Sequence, residues 1–248
     1  LSDVEISINA MKLGLDRMRY FDGILKRLMC KKNVKTFGLN IENYNFINFN
    51  FLPSTQIENL NLYLRTTNFS VINFLKISPN VKSLELDVKE LNDEEIKFIN
   101  EYAPTTHLKI SSLSSENFSR LKLKSIKSLH IETCIEPCHW HKFIENNLGI
   151  TKLVINFSFL MDFDMNLLNH ITQTLKIEHL ELIDKYVGFE NKIYEEICEN
   201  CKSLKYLKLW NINIEKNFTD EDKDFLRRKN IKFLLQKVLL LTNILSRI

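Results

Sequence analysis

A short aliphatic triplet, apolar-x-x-apolar-x-apolar, recurs along this chain at intervals of 21 to 27 residues. Recurrence with a period of about 20–50 residues is typical of solenoids, in which each repeat buries its apolar face against its neighbours. This spacing therefore constrains the fold more than any other feature. The triplets are Val34-Phe37-Leu39, Ile57-Leu60-Leu62, Val81-Leu84-Leu86, Thr105-Leu108-Ile110, Ile126-Leu129-Ile131, Ile150-Leu153-Ile155, Ile177-Leu180-Leu182 and Leu204-Leu207-Leu209.

The segments between the triplets predict helices. Roughly a third of the residues are Leu, Ile, Val or Phe, so about nine bare triplets are expected by chance and the intervening pattern carries the argument. Asn92 and Glu95 form a capping-box pair, and Leu91 and Ile96 flank it as a hydrophobic staple. Apolar residues at helical spacing follow in other repeats. The predicted helices are Asp93–Tyr102, Cys138–Asn147, Met165–Thr174 and Lys192–Cys201.

Alternation of a strand period with a helical period in each unit predicts an α/β fold. We expect a right-handed solenoid shaped as a horseshoe, with a parallel sheet on the concave face and helices on the convex face. The 248 residues, with 44% hydrophobic content, can bury a large core, and five Gly and four Pro provide no flexible linker. We predict a single domain over 1–248, with a leading segment 1–32, eight repeats in 33–212, and a last repeat and C-terminal cap in 213–248.

Net charge and cysteine content limit which cellular compartment and which classes of partner are expected for this protein. A net charge of +3 is too small to indicate nucleic-acid binding. The apolar run Val238–Leu241 is too short to span a bilayer, and acidic Asp3 and Glu5 at the start do not form a secretory signal. Five cysteines without a dense framework indicate reduced thiols. We therefore expect a cytoplasmic or nuclear protein that binds neither nucleic acid nor membrane.

Three segments resemble the leucine-rich repeats of F-box proteins. Ile197–Leu209 (ICENCKSLKYLKL) resembles the helix-to-strand junction of those repeats, and Ser78–Leu86 (SPNVKSLEL) resembles the same junction in its Pro-Asn form. Leu129–Cys134 fits the Leu-x-Leu-x-x-Asn/Cys core of the repeat. The resemblance covers most of the chain and is to the cytosolic, helix-backed type. It implies a leucine-rich-repeat module that recognises a protein substrate for a cullin-type ubiquitin ligase.

The F-box itself is not visible in the sequence. Leu1–Ile8 resembles the first strand that follows an F-box helix bundle, so we expect the adaptor-binding part upstream of Leu1. The ligase adaptor would then be a second partner. The alternative is a stand-alone repeat scaffold or regulatory binding protein without ligase attachment. A secreted ectodomain would require paired cysteine caps, which the sequence lacks.

One cluster, Cys134-x3-Cys138-His139-x-His141, has metal-ligating residue types. Zinc needs convergent donors. Cys134 is expected in the repeat core, however, and the other three residues begin a helix where they should point in different directions. A zinc site that combined this cluster with Cys198-x-x-Cys201 would need ligands about two repeats apart, which is too far for one ion. Because no nucleophile, base or phosphate motif is present either, we predict no metal, no cofactor, no catalytic residue and no enzymatic activity.

The strand positions between the buried aliphatic residues are predicted to face the hollow of the horseshoe. Towards the carboxy terminus these positions become apolar and aromatic beside charged residues, which is typical of protein-interface anchors. The alternative is that the tail from Ile231 onward folds over this end and buries Trp210. We predict that the tail instead caps the edge strand and leaves Trp210 open. The predicted partner-binding residues are Val154, Asn156, Glu181, Ile183, Tyr206, Lys208 and Trp210.

Overall fold

The structure, a computed structural model, describes residues 4–9, 34–41, 57–64, 71–102, 105–156, 165–184, 193–211 and 219–236. Cys30, most of the predicted leading segment and residues 237–248 of the predicted cap lie outside these ranges. The strands are β1 Val4–Asn9, β2 Val34–Ile41, β3 Asn59–Leu64, β4 Ser83–Val88, β5 His107–Ile110, β6 Ser128–Ile131, β7 Lys152–Asn156, β8 His179–Asp184, β9 Tyr206–Asn211 and β10 Lys232–Gln236. The helices are α1 Val71–Ile77, α2 Asp93–Tyr102, α3 Ser115–Ser119, α4 Pro137–Asn146, α5 Met165–Thr174, α6 Ile193–Asn200 and α7 Asp220–Arg228.

The chain forms two compact units, one from Leu1–Ser128 with Ile135–Asn147 and the other from Leu129–Cys134 with Leu148–Ile248. In the first unit β1 to β5 pair in chain order, and every pair is parallel. In the second unit β7 to β10 do the same. The predicted α/β class and the parallel pairing of consecutive triplet strands within each unit are therefore confirmed. The single-domain organisation stays a prediction.

All residues of the eight triplets are buried, and the most exposed of them, Leu204, is only 7% exposed. In the first unit Leu60 lies opposite Leu84, and Leu84 lies opposite Leu108. The residues between the buried ones are half-buried or exposed, as in β3 and β5. Because side chains alternate along a strand, the last two residues of each triplet lie on the same face of the sheet, and that face packs in the core. The predicted burial of these aliphatic side chains, which form a ladder across the paired strands, is confirmed.

The predicted helices are present with small shifts of their ends. Helices α2 and α5 have the predicted bounds, and α4 differs by one residue at both ends. Helix α6 ends one residue before the predicted Cys201, and its predicted start, Lys192, lies outside the described residues. Helix α4 begins at Pro137, whose missing N–H is no loss in a first turn. It ends before Asn147, which has a non-helical φ of −134°. Among the described residues, no helix has the length and apolar character needed to cross a membrane.

The predicted capping box at the start of α2 is confirmed, and it does more than cap the helix. Asn92 Oδ1 accepts from the Glu95 amide at 2.9 Å, and Glu95 Oε2 accepts from the Asn92 amide at 3.0 Å. Glu95 Oε1 also accepts from the amide of Val71, 2.7 Å away in the preceding repeat. Glu95 is 3% exposed. The same carboxylate thus caps its helix and satisfies a buried backbone donor of its neighbour.

Two buried asparagines join further repeats in the same way. The Leu91 amide donates to Asn117 Oδ1 at 2.6 Å, and the Leu123 amide donates to Asn147 Oδ1 at 2.7 Å. Each pair is separated by about one repeat in sequence. Buried backbone groups outside regular elements need such partners. Cys134, which we predicted in the core, is exposed and plays no comparable part.

Candidate functional site

The predicted partner-binding residues lie on one face of the second unit, in three rows across neighbouring strands. Parallel pairing in register brings residues from β7, β8, β9 and β10 side by side. Side chains of paired parallel residues point to the same face. We call the following residues the strand-face array. Its rows are Lys152, His179, Tyr206 and Lys232; Val154, Glu181, Lys208 and Leu234; and Asn156, Ile183 and Trp210.

Glu181 is the charged centre of the array. Its Oε1 lies 2.8 Å from His179 Nε2 and 3.7 Å from Lys152 Nζ, and its Oε2 lies 3.6 Å from Lys208 Nζ. The Glu181 and Lys208 side chains are only 15% and 16% exposed. Burial alone raises the pKa of Glu181, but the hydrogen bond to His179 and the charges of Lys208 and Lys152 outweigh it, so the pKa lies below its ordinary value. The carboxylate is therefore held ionised by its neighbours.

Aromatic rings continue the array on both sides of this centre. Lys208 Nζ lies 3.9 Å from the centroid of the Trp210 ring, a cation–π distance. The rings of His179 and Tyr206 are stacked, with centroids 4.2 Å apart. Burial, and then the charge of Glu181, raise the pKa of Tyr206, so its phenol stays neutral. The Lys208 ammonium thus lies close both to the Glu181 carboxylate on β8 and to the Trp210 indole two residues along β9.

The predicted residues differ in their exposure. Glu181, Ile183, Tyr206, Lys208 and Trp210 are all half-buried, with part of each side chain accessible. They are the members of the predicted site that a partner can contact directly.

Val154 and Asn156 differ from the prediction. They are only 7% and 5% exposed, so neither offers an accessible contact surface. The accessible part of the array is therefore smaller than the predicted site.

The tail has the predicted place as far as it is described. Lys232–Gln236 forms β10, which pairs with the edge of β9. Trp210 itself is half-buried. Its indole Nε1 is inaccessible and has no acceptor among the described residues. Leu234, opposite Lys208, adds an apolar side chain that is 44% exposed.

Four members of the array are missing from the predicted site: Lys152, His179, Lys232 and Leu234. Lys152 and His179 both contact Glu181, and His179 also stacks on Tyr206. The sequence carried a signal for these two residues. His179 stands two residues before Glu181 and so shares its face of the strand, and the 27-residue repeat aligns Lys152 with His179.

A second group of polar side chains lies at the start of α4, in the first unit. Cys138 Sγ is 3.3 Å from His139 Nδ1 and 3.9 Å from Glu136 Oε2, and that oxygen is 3.4 Å from the His139 nitrogen. Our expectation that Cys138 and His139 point in different directions is wrong. His141 is not a member of this group.

Cys198 and Cys201 are structural cysteines, and both are buried. Burial raises the pKa of the Cys198 thiol to about 12 and also raises that of Cys201. Cys201 donates to the Ile177 carbonyl at 3.2 Å. Protonated, buried thiols of this kind are neither nucleophiles nor metal ligands.

No protein-family model matches this chain, and a search of curated proteins finds no match.

Proposed function

We propose that this chain is a right-handed leucine-rich-repeat solenoid, with its sheet on the concave side and its helices on the convex side, and that it binds a protein through the strand-face array. Two findings support the solenoid. The triplets are buried and aligned in parallel register, and buried side chains of one repeat hydrogen-bond the backbone of the neighbouring repeat. Repeat proteins of this kind act chiefly as binding surfaces.

The observation that carries the binding proposal is the half-buried pair Tyr206 and Trp210, which lie on one face of β9 on either side of Lys208. Each ring is held in place by a charged or polar neighbour, Lys208 over Trp210 and His179 on Tyr206. Tyr and Trp dominate the energetics of protein interfaces because they bury a large area with few rotatable bonds.

The charges of the array favour an acidic partner segment. Lys152, Lys208 and Lys232 stand against the single carboxylate of Glu181, which leaves an excess of two positive charges when His179 is neutral. The exposed Leu234 lies among them. A complementary partner presents acidic side chains around an apolar one. Such charge complementarity sets specificity and association rate more than affinity.

The resemblance of this chain to the repeats of F-box proteins gives the proposal its cellular context. In that context the array selects the substrate of a cullin-type ubiquitin ligase, and an F-box in the full-length protein contacts the ligase adaptor. The alternative function is that of a stand-alone scaffold or regulatory repeat protein. Both alternatives use the same array, and they differ in whether a ligase is attached.

A pair of alanine variants tests the binding face. The full-length protein is expressed in its native cells with Tyr206→Ala and Trp210→Ala, and captured partners are quantified by mass spectrometry. The matched control is Tyr63→Ala, which removes a half-buried tyrosine from β3 in the first unit. We expect the array variants to lose a defined partner by at least about tenfold, since hot-spot residues contribute about 2 kcal/mol or more. Retention of every partner at the wild-type level in both array variants would refute the binding face.

The same capture separates the two alternatives. If the ligase proposal is right, the adaptor and cullin copurify with the wild type and with Trp210→Ala alike, because the adaptor binds outside the array. Absence of adaptor and cullin, with the array-dependent partner still present, would establish the stand-alone scaffold instead.

A further inference from the structure

Three side chains of different chemistry converge at the start of helix α4. Glu136 supplies a carboxylate, Cys138 a thiol and His139 an imidazole, and one ligand atom from each lies within 4.8 Å of the others. These are the hard, soft and borderline donors that zinc sites combine. Glu136 and Cys138 are exposed and His139 is half-buried, so a cation in solution can reach all three.

The triangle of donor atoms has the dimensions of a zinc site. With ordinary bond lengths of about 2.3 Å to sulfur and about 2.0–2.1 Å to nitrogen and oxygen, a tetrahedral ion separates S from N by about 3.6 Å, S from O by about 3.5 Å and N from O by about 3.3 Å. The corresponding distances here are 3.3, 3.9 and 3.4 Å. Adjustments of about 0.4 Å or less, well within side-chain rotation, bring all three into the coordination sphere.

The backbone holds the three residues in this arrangement before any ion binds. Pro137 fixes the first helical turn, and Glu136 before it is extended, with φ −64° and ψ 144°, as a residue preceding proline prefers. The Glu136 amide donates to Ser115 Oγ at 3.2 Å, and the Glu136 carbonyl accepts from the His139 amide at 3.0 Å. A preorganised set of donors loses less conformational entropy on binding than a flexible one.

The charges are compatible with a divalent cation. The amino end of a helix carries a partial positive charge that opposes a cation. Bound zinc requires Cys138 as a thiolate, and with the Glu136 carboxylate this supplies two negative charges against the two positive charges of the ion. His139 is then the neutral ligand. The fourth position stays open to water, as in sites with three protein ligands.

We propose that Glu136, Cys138 and His139 form a zinc-binding site with one open coordination position. This site is separate from the strand-face array and does not depend on the function proposed for that array. It also replaces our sequence-based expectation of no metal, which rested on these side chains pointing apart.

Cobalt titration tests the site directly. Tag-free, reduced and metal-stripped protein is titrated with Co²⁺, and the near-ultraviolet charge-transfer band of a cobalt–thiolate bond is recorded, followed by displacement with Zn²⁺. We expect saturation at one equivalent and loss of the band in Cys138→Ser. Glu136→Gln and His139→Gln should each weaken binding by more than about tenfold, because even outer-shell partners contribute that much.

Cys134→Ser is the matched control, because Cys134 is also exposed and lies four residues earlier. It should leave the cobalt band and the affinity unchanged, as should His141→Gln. Thermal unfolding of the metal-free variants checks that each is folded, and His139→Gln provides an independent test if Cys138→Ser is not. The proposal is overturned by the absence of a thiolate band in the wild type, by a band that persists in Cys138→Ser, or by its loss in Cys134→Ser.

Discussion

Replacing Asn147 with alanine should remove one of the bonds between neighbouring repeats and weaken the first unit. Asn147 is 2% exposed, and its side chain makes three hydrogen bonds to backbone. Oδ1 accepts from the Leu123 amide at 2.7 Å, and Nδ2 donates to the carbonyls of Leu121 at 2.9 Å and Phe143 at 2.7 Å. Leu121 and Leu123 are themselves buried. Water therefore cannot replace the lost amide without opening the loop.

The expected cost follows from the backbone groups left unpaired. Each buried donor or acceptor without a partner costs about 1–3 kcal/mol. Counting only the Leu123 amide and the Leu121 carbonyl gives a loss of about 2–6 kcal/mol in the free energy of unfolding. Asn147→Asp should cost at least as much, because it keeps the acceptor for Leu123 but directs a carboxylate oxygen at two carbonyls.

Asn146→Ala is the matched control for this experiment. Asn146 is exposed and donates to the Lys142 carbonyl, within the same helix. Its replacement should change the free energy of unfolding by less than about 0.5 kcal/mol. Urea unfolding gives the energies, and amide hydrogen exchange reports the site itself, because the Leu123 amide should lose protection in Asn147→Ala alone. Equal urea midpoints for the two alanine variants, or unchanged exchange at Leu123, would refute the reasoning.

Three further predictions concern the second unit and the thiols. Leu153→Ala should cost about 2–5 kcal/mol, because Leu153 is fully buried in the ladder. Lys152→Ala should cost under about 1 kcal/mol, because its 3.7 Å contact with Glu181 is long and the Lys152 side chain is 42% exposed. Equal urea midpoints for the two variants would contradict this register. Because the pKa of Glu181 is lowered, its contribution is complete above the ordinary value of 4.5 and is lost as pH falls through the lower folded value. The stability difference between wild type and Glu181→Gln should therefore shrink in acid, and a constant difference would exclude the proposed ion pairing. Alkylation of the native protein in mildly alkaline buffer should label exposed Cys134 well before buried Cys198, whose pKa is about 12, and equal labelling rates by mass spectrometry would count against the burial.

The core and its register could be predicted from the sequence, because they depend on local periodicity. A strand alternates its side chains between two faces, so the spacing of Leu60 and Leu62 already selects which residues of β3 are buried. The capping box of Asn92 and Glu95 was equally predictable, since its hydrogen bonds join residues three apart. In the strand-face array, the same alternation identified Tyr206, Lys208 and Trp210 as residues that share a side of the strand.

Only the tertiary structure decided which polar side chains cross from one repeat to the next. Glu95 and Asn147 each accept a hydrogen bond from a backbone amide 24 residues away, and sequence alone does not distinguish them from ordinary helix-end residues. Alternation along the strand likewise placed Val154 among the accessible residues, and only the folded structure shows that it is 7% exposed. Periodicity fixes the face on which a side chain lies, but its partners depend on three-dimensional placement and rotamer, which arise when separate repeats pack together.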